Sequence, residues 1–192
     1  MLISENAPPM HPNCRCSTSA SMGPGGDVNY AKSFDDSIKQ DIHESMWIYS
    51  LEDARKELLK SPVGIDTINA IKSSNVIINV INMRMHPTGD RGEQFGDRID
   101  IYARQCQNEL VFSQTIVHEM AHYLFGIGEC QHAEAICFAM EKMHKERRDY
   151  LKPNEWEYVK KLAQDVYPDL KWEEGGYGNY EQFDFVRDNK SL

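Results

Sequence analysis

His118, Glu119 and His122 form the pattern in this sequence that most directly indicates chemistry. On a helix, His118 and His122 lie one turn apart on the same face, so both imidazoles can bind one metal ion. Glu119 follows His118 directly, and its carboxylate can reach a metal-bound water rather than the metal itself. Zinc lowers the pKa of its bound water towards about 7, and a carboxylate can take the proton as that water attacks a carbonyl. The spacing therefore predicts a Zn²⁺ site with Glu119 as the catalytic base.

A catalytic zinc site needs a third protein ligand and one open position. The candidates that follow the first two ligands are Glu129, His132 and Glu134. Glu134 is favoured because the interval after His122 leaves room for a glycine turn and an antiparallel helix. His132 and Glu129 remain as alternatives.

Two further groups of residues could contribute to such a site. Donors that could stabilise an oxyanion are Tyr102, Tyr123, His144 and Tyr150, and the sequence does not choose among them. The thiols of Cys130 and Cys137 lie close enough in sequence to bind the metal, although a buried cysteine on a helix usually serves packing.

The elements that must position these residues are predicted to form an α+β fold. Helices are predicted over residues 50–60, 65–73, 114–125, 131–151 and 153–167. Strands are predicted over residues 76–81 and 98–103, and a loop over residues 86–97. The two strands are β-branched or alternating segments, Ser113 can cap the helix that carries the histidines, and Pro153 suits the first position of the last helix.

The composition predicts one folded domain with two appendages. Residues 1–29 are rich in Pro, Gly and Ser and are predicted to be a flexible leader. The domain is expected to occupy residues 30–170 and a C-terminal tail residues 171–192. No segment approaches the roughly 20 apolar residues of a membrane span, and the first residues lack a signal-peptide pattern.

The charge and the cysteines bear on partners and location. The net charge of −9 argues against nucleic acid or an anionic membrane as a partner. Five cysteines, an odd number, indicate reduced thiols in the cytoplasm rather than a disulfide framework. The sequence alone therefore predicts a cytoplasmic protein with neither nucleic acid nor membrane as a partner.

A family resemblance extends the metal-site prediction. His118-Glu119-x-x-His122 followed by Glu134-Ala-x-x-Phe138-Ala resembles the gluzincin metallopeptidases, in particular the ImmA/IrrE-type peptidases, over residues 75–145. The resemblance implies a zincin-like fold, in which a small mixed sheet packs on the active-site helix, and a Glu134 ligand. It also implies a protein or peptide substrate whose backbone lies along strand 98–102 as the sheet edge.

A second resemblance concerns the leader. The segment Pro8-Pro9-Met10-His11-Pro12-Asn13-Cys14-Arg15-Cys16 resembles the closing motif of Mu F/SPP1-type phage head-morphogenesis (minor capsid) proteins. It implies a phage- or prophage-associated zinc metalloendopeptidase, an effector or toxin that is carried on a virion or delivered into a target cell. Phage capsid proteins would then be partners through a preceding region. The alternatives are a phage structural component with a structural or vestigial zinc site, and a regulatory peptidase that cleaves a repressor.

Overall fold

A computed structural model of the chain describes residues 38–40, 49, 51–81, 86–125 and 130–172. The predicted leader and the boundary at residues 29 and 30 lie outside these ranges. So do Glu129 and the predicted tail beyond residue 172.

The described residues form four strands, five α-helices and one short 3-10 helix. The strands are β1 (Ile38–Gln40), β2 (Ile77–Ile81), β3 (Gly92–Phe95) and β4 (Arg98–Tyr102). The helices are α1 (Leu51–Leu58), α2 (Pro62–Ser73), the 3-10 helix (Ala103–Gln105), α3 (Glu109–Phe125), α4 (Gln131–Lys145) and α5 (Pro153–Val166). The predicted α+β class is confirmed. None of the helices in the described ranges has the length and apolar character needed to cross a bilayer.

The strands form one mixed sheet in the order β1-β2-β4-β3. β2 pairs in parallel with both β1 and β4, whereas β3 pairs antiparallel with β4. β3 was not predicted, because its glycine and polar residues resemble a loop. Gly96 has a φ of 57°, which glycine adopts without strain, and it lies in the turn that joins β3 to β4 as a hairpin.

The hairpin corrects one implication of the peptidase resemblance. β4 lies between β2 and β3, so the prediction that residues 98–102 form a sheet edge is wrong. In the described part of the sheet, β3 occupies the edge beyond β4. The strand at the edge position that the resemblance assigned to residues 98–102 is therefore β3.

α3 is the central helix of the fold. It contacts α1, α2 and α4, and it lies against β3 and β4. Its apolar side chains pack with the inner face of the sheet, and the fully buried members of this core include Ile78, Ile99, Ile101, Phe112, Ile116 and Met120. Burial of one such side chain contributes about 1.5–3 kcal/mol, so the core stabilises the packing of α3 on the sheet.

The observed bounds of α3 differ from the prediction at its start. The helix begins at Glu109 rather than residue 114, because the Asn108 side chain accepts a hydrogen bond from the Val111 backbone N–H at 2.9 Å. Ser113 therefore does not cap the helix. Its hydroxyl lies within the second turn and contacts the His144 ring at 2.8 Å.

α4 ends at Lys145, six residues before the predicted end. The backbone N–H of Arg148 bonds to the Met143 carbonyl, and that of Arg147 bonds to the His144 carbonyl. Arg147 has a φ of 57°, so the two bonds form a Schellman motif with arginine at the left-handed position. No glycine marks this end, which is why the sequence pattern continued to residue 151. Helix α2 begins at Pro62, three residues earlier than predicted, with Ser61 as its cap.

Candidate metal centre

His118, His122 and Glu134 converge where α3 packs against α4. The Nε2 atoms of His118 and His122 are 3.2 Å apart. Oε2 of Glu134 lies 3.5 Å from Nε2 of His118, and Oε1 of the same carboxylate lies 3.4 Å from Nε2 of His122. All three side chains are at most 1% exposed. Three candidate metal ligands from two helices thus meet at one buried point.

The spacing of these three groups matches a metal ligand set. Donor atoms at about 2.0–2.1 Å from a tetrahedral Zn²⁺ lie about 3.3–3.4 Å from one another, close to the separations between the three side chains. Neither oxygen of Glu134 has a hydrogen bond of ordinary geometry in the described structure. A buried carboxylate in that state is costly unless it is paired with a positive charge. The residues present therefore fit a divalent ion.

The electrostatics of the site favour a negative carboxylate and positive neighbours. Burial would raise the pKa of Glu134, but the nearby His122 and His118 outweigh it and lower that pKa. Burial would lower the pKa of His118, yet the Cys137 sulfur and the carboxyl groups of Glu134 and Glu141 raise it well above the ordinary value. The neighbouring carboxyl groups thus favour a positive charge on the imidazoles.

Glu141 and Arg91 support His118 from behind. The Glu141 carboxylate lies 2.7 Å from Nδ1 of His118, and Nη2 of Arg91 lies 3.4 Å from both Glu141 oxygens. A carboxylate at Nδ1 fixes the ring so that Nε2 points at the other donors, as in many metal sites. Sequence reasoning missed Glu141, although its position seven residues after Glu134 places both on one face of α4.

Glu119 lies under the edge strand. It is fully buried on α3, and a Cβ added at Gly92 would come within 2.8 Å of its Cγ and Oε1 atoms. Only glycine lets the β3 backbone approach the carboxylate this closely. Gly92 is therefore the residue that allows strand β3 to cover the predicted base.

The remaining ligand candidates have separate positions. The Cys137 sulfur lies within 4.8 Å of the ligand atoms of His118 and His122, and these three residues form a group that could hold a metal ion. His132 instead packs its ring on Trp156 and Trp172. Cys130 caps α4 by accepting a hydrogen bond from the Ala133 backbone N–H.

The candidates for oxyanion stabilisation have structural contacts of their own. The Tyr102 hydroxyl donates to Glu93 at 3.0 Å. His144 lies between the hydroxyls of Ser61 and Ser113, at 2.5 and 2.8 Å. The ring of Tyr150 faces the Arg148 guanidinium. Tyr123 is hydrogen-bonded to the segment before β2. These contacts give each of the four a role in packing.

Comparison with known proteins gives one named relative. The chain is similar to the Holliday junction resolvase RecU of Lactobacillus acidophilus, with 26% identity over 133 residues. The match covers 66% of this chain and 62% of the resolvase, so the chain spans less than two thirds of that protein's length. No family model and no solved structure matches the chain.

This similarity contradicts the functional predictions made from the sequence. The assignment to zincin metallopeptidases of the ImmA/IrrE type, and with it the protease activity and the peptide substrate, conflicts with a relative named for resolving Holliday junctions. The phage minor-capsid, effector and toxin interpretations are contradicted in the same way. The same relative contradicts the exclusion of nucleic acid. That prediction failed because a net charge sums the whole chain and does not describe a local surface. The prediction of a divalent metal ion keeps its support, since the structure contains side-chain groups that could hold one.

Proposed function

We propose that this protein is a metal-dependent hydrolase that uses Zn²⁺. The observation that carries the proposal is the buried triangle of His118, His122 and Glu134, whose separations of 3.2–3.5 Å suit a tetrahedral ion. Two imidazoles and one carboxylate suit Zn²⁺ better than Mg²⁺, which prefers oxygen ligands and keeps several waters. Glu134 rather than Cys137 is assigned as the third ligand because its carboxylate faces both imidazoles.

Each residue has a distinct part in this proposal. When bound, the ion supplies Lewis acidity and lowers the pKa of a coordinated water. Glu119 accepts a proton on its carboxylate, one residue along α3 from the first ligand. Glu141 holds His118 through Nδ1, so that Nε2 stays directed at the other donors. Gly92 lets β3 cover Glu119, and the resulting low dielectric strengthens the attraction between opposite charges.

The substrate that the similarity supports is nucleic acid. The relative is named for Holliday junctions, and activation of a water beside a metal ion is chemistry suited to a phosphodiester. The chain carries a net charge of −9, so broad contacts to the phosphate backbone receive no help from its overall charge. Recognition would then depend on the bound ion and on local lysine and arginine side chains. DNA is accordingly the first substrate to test.

The test is a cleavage assay on zinc-loaded protein with a four-way DNA junction, duplex DNA and single-stranded DNA. Loss of a general base costs about 10²–10⁴-fold in rate, so Glu119→Gln should cleave at least about 100-fold more slowly. Because Glu119 is not a ligand, that variant should bind as much zinc as the wild type. Glu157→Gln serves as the matched control, since Glu157 lies exposed on α5 with 68% of its side chain accessible.

Two results would contradict the proposal in different ways. Cleavage that persists in Glu119→Gln would remove the role of the base. Intact DNA in the presence of zinc-loaded wild type, with an unfolded protein cleaved under the same conditions, would remove nucleic acid as the substrate.

A further inference from the structure

A second group of metal-binding side chains lies on the segment that leads into β3. Nδ1 of His86 lies 3.1 Å from an Asp90 oxygen, and Nε2 of the same ring lies 2.9 Å from a Glu93 oxygen. The side chain of Asp90 is 1% exposed, that of Glu93 is 11% and that of His86 is 16%. One ligand atom from each residue lies within 4.8 Å of the others. An imidazole and two carboxylates are thus enclosed together near the edge of the sheet.

The ligand types in this group suit a metal ion. Its two enclosed carboxylates and one imidazole offer three donor atoms, and both kinds of side chain are common ligands of divalent transition ions. Arg91, which lies between the two acidic residues in the sequence, contacts Glu141 in the first site. The hydroxyls of Tyr102 and Thr88 donate to Glu93 and Asp90 and restrict their rotation.

We propose that His86, Asp90 and Glu93 form a second divalent-cation site beside the first. One nitrogen and two oxygen donors suit a transition ion such as Mn²⁺ or Zn²⁺, because imidazole favours the later metals and carboxylate favours Mn²⁺. The proposal does not depend on the proposed hydrolase activity, since it concerns only binding.

The second site would also fix the strand that covers the first. Asp90 and Glu93 enclose two residues in sequence: Arg91, which contacts Glu141, and Gly92, which lies against Glu119. An ion that joins Asp90 to Glu93 ties together both ends of this segment. Its loss would loosen the supports of His118 and Glu119 without removing either residue.

The experiment counts metal ions bound to the full chain after equilibrium dialysis against Zn²⁺ and, separately, Mn²⁺. The double variant His86→Gln/Glu93→Gln should bind one ion fewer than the wild type. His122→Ala should also bind one fewer in Zn²⁺, and the triple variant should bind two fewer. Glu157→Gln should match the wild type. Because the number of bound ions is compared between variants, ions bound at sites that all variants share do not affect the difference.

The outcomes separate the two sites. An unchanged count in His86→Gln/Glu93→Gln would overturn the second site and leave His86 as a bridge between two carboxylates. Should the double variant fail to fold, as judged by circular dichroism, Glu93→Gln alone should weaken Mn²⁺ binding at least about tenfold. Unchanged Mn²⁺ affinity in that variant would equally overturn the proposal. A loss confined to His122→Ala would support only the first site.

Discussion

Replacement of Glu141 by glutamine should weaken metal binding without touching a ligand. The Glu141 carboxylate lies 2.7 Å from Nδ1 of His118, and the substitution keeps the side-chain shape while it removes the negative charge. Loss of such a supporting carboxylate typically costs 10–100-fold in metal affinity, or about 1.4–2.7 kcal/mol at 1.36 kcal/mol per tenfold change. The variant also leaves Arg91 facing a neutral amide, which places the expected loss towards the upper end.

The affinity is measured by titrating zinc-loaded protein with a chromophoric chelator at neutral pH. The matched control is Glu146→Gln, which removes a carboxylate just past the end of the same helix, where Glu146 contacts Lys142 and is 46% exposed. It should leave zinc affinity unchanged. If Glu141→Gln binds zinc as tightly as wild type while remaining folded, Glu141 does not position His118 for a metal.

Two further predictions concern stability. Gly92→Ala should destabilise the fold by about 1–3 kcal/mol in urea unfolding, because the added methyl group would meet buried Glu119 at 2.8 Å; an unchanged midpoint would show that β3 is free to move. Burial lowers the pKa of His144 to about 4. The neutral ring therefore makes its full contribution to stability above pH 6.5. As the pH falls from 6.5 towards 4, the free energy of unfolding decreases by up to about 1.4 kcal/mol per pH unit. His144→Gln should reduce this acid sensitivity in parallel urea titrations, and an identical pH profile would contradict the assignment.

Most of the helices, and strand β2, could be predicted because their sequence signals are local. Pro153 marks the first position of α5, and a β-branched run marks β2, each within a few residues. β3 could not be predicted, since its residues have little strand preference and it exists through pairing with β4. The end of α4 was missed for a related reason: Arg147 occupies a left-handed position that sequence patterns assign to glycine.

The candidate site divides along the same line. The spacing of His118 and His122 is a property of one helix and can be read from the sequence. The choice of Glu134 depended on an assumption about how two helices pack, and in the structure its carboxylate lies beside both histidines. Glu141 and Gly92 act through contacts between elements far apart in the chain. The substrate is even harder to predict from a local sequence pattern. The His-Glu-x-x-His motif suggested a peptidase, and the named relative contradicts that prediction.

Anomalous diffraction at the zinc edge, from crystals of the zinc-loaded protein, tests the proposed metal site directly. We predict an anomalous peak about 2.0–2.2 Å from Nε2 of His118, Nε2 of His122 and the Glu134 carboxylate, with no peak there in His122→Ala crystals. An empty position between these three side chains, in crystals grown with zinc at neutral pH, would contradict it.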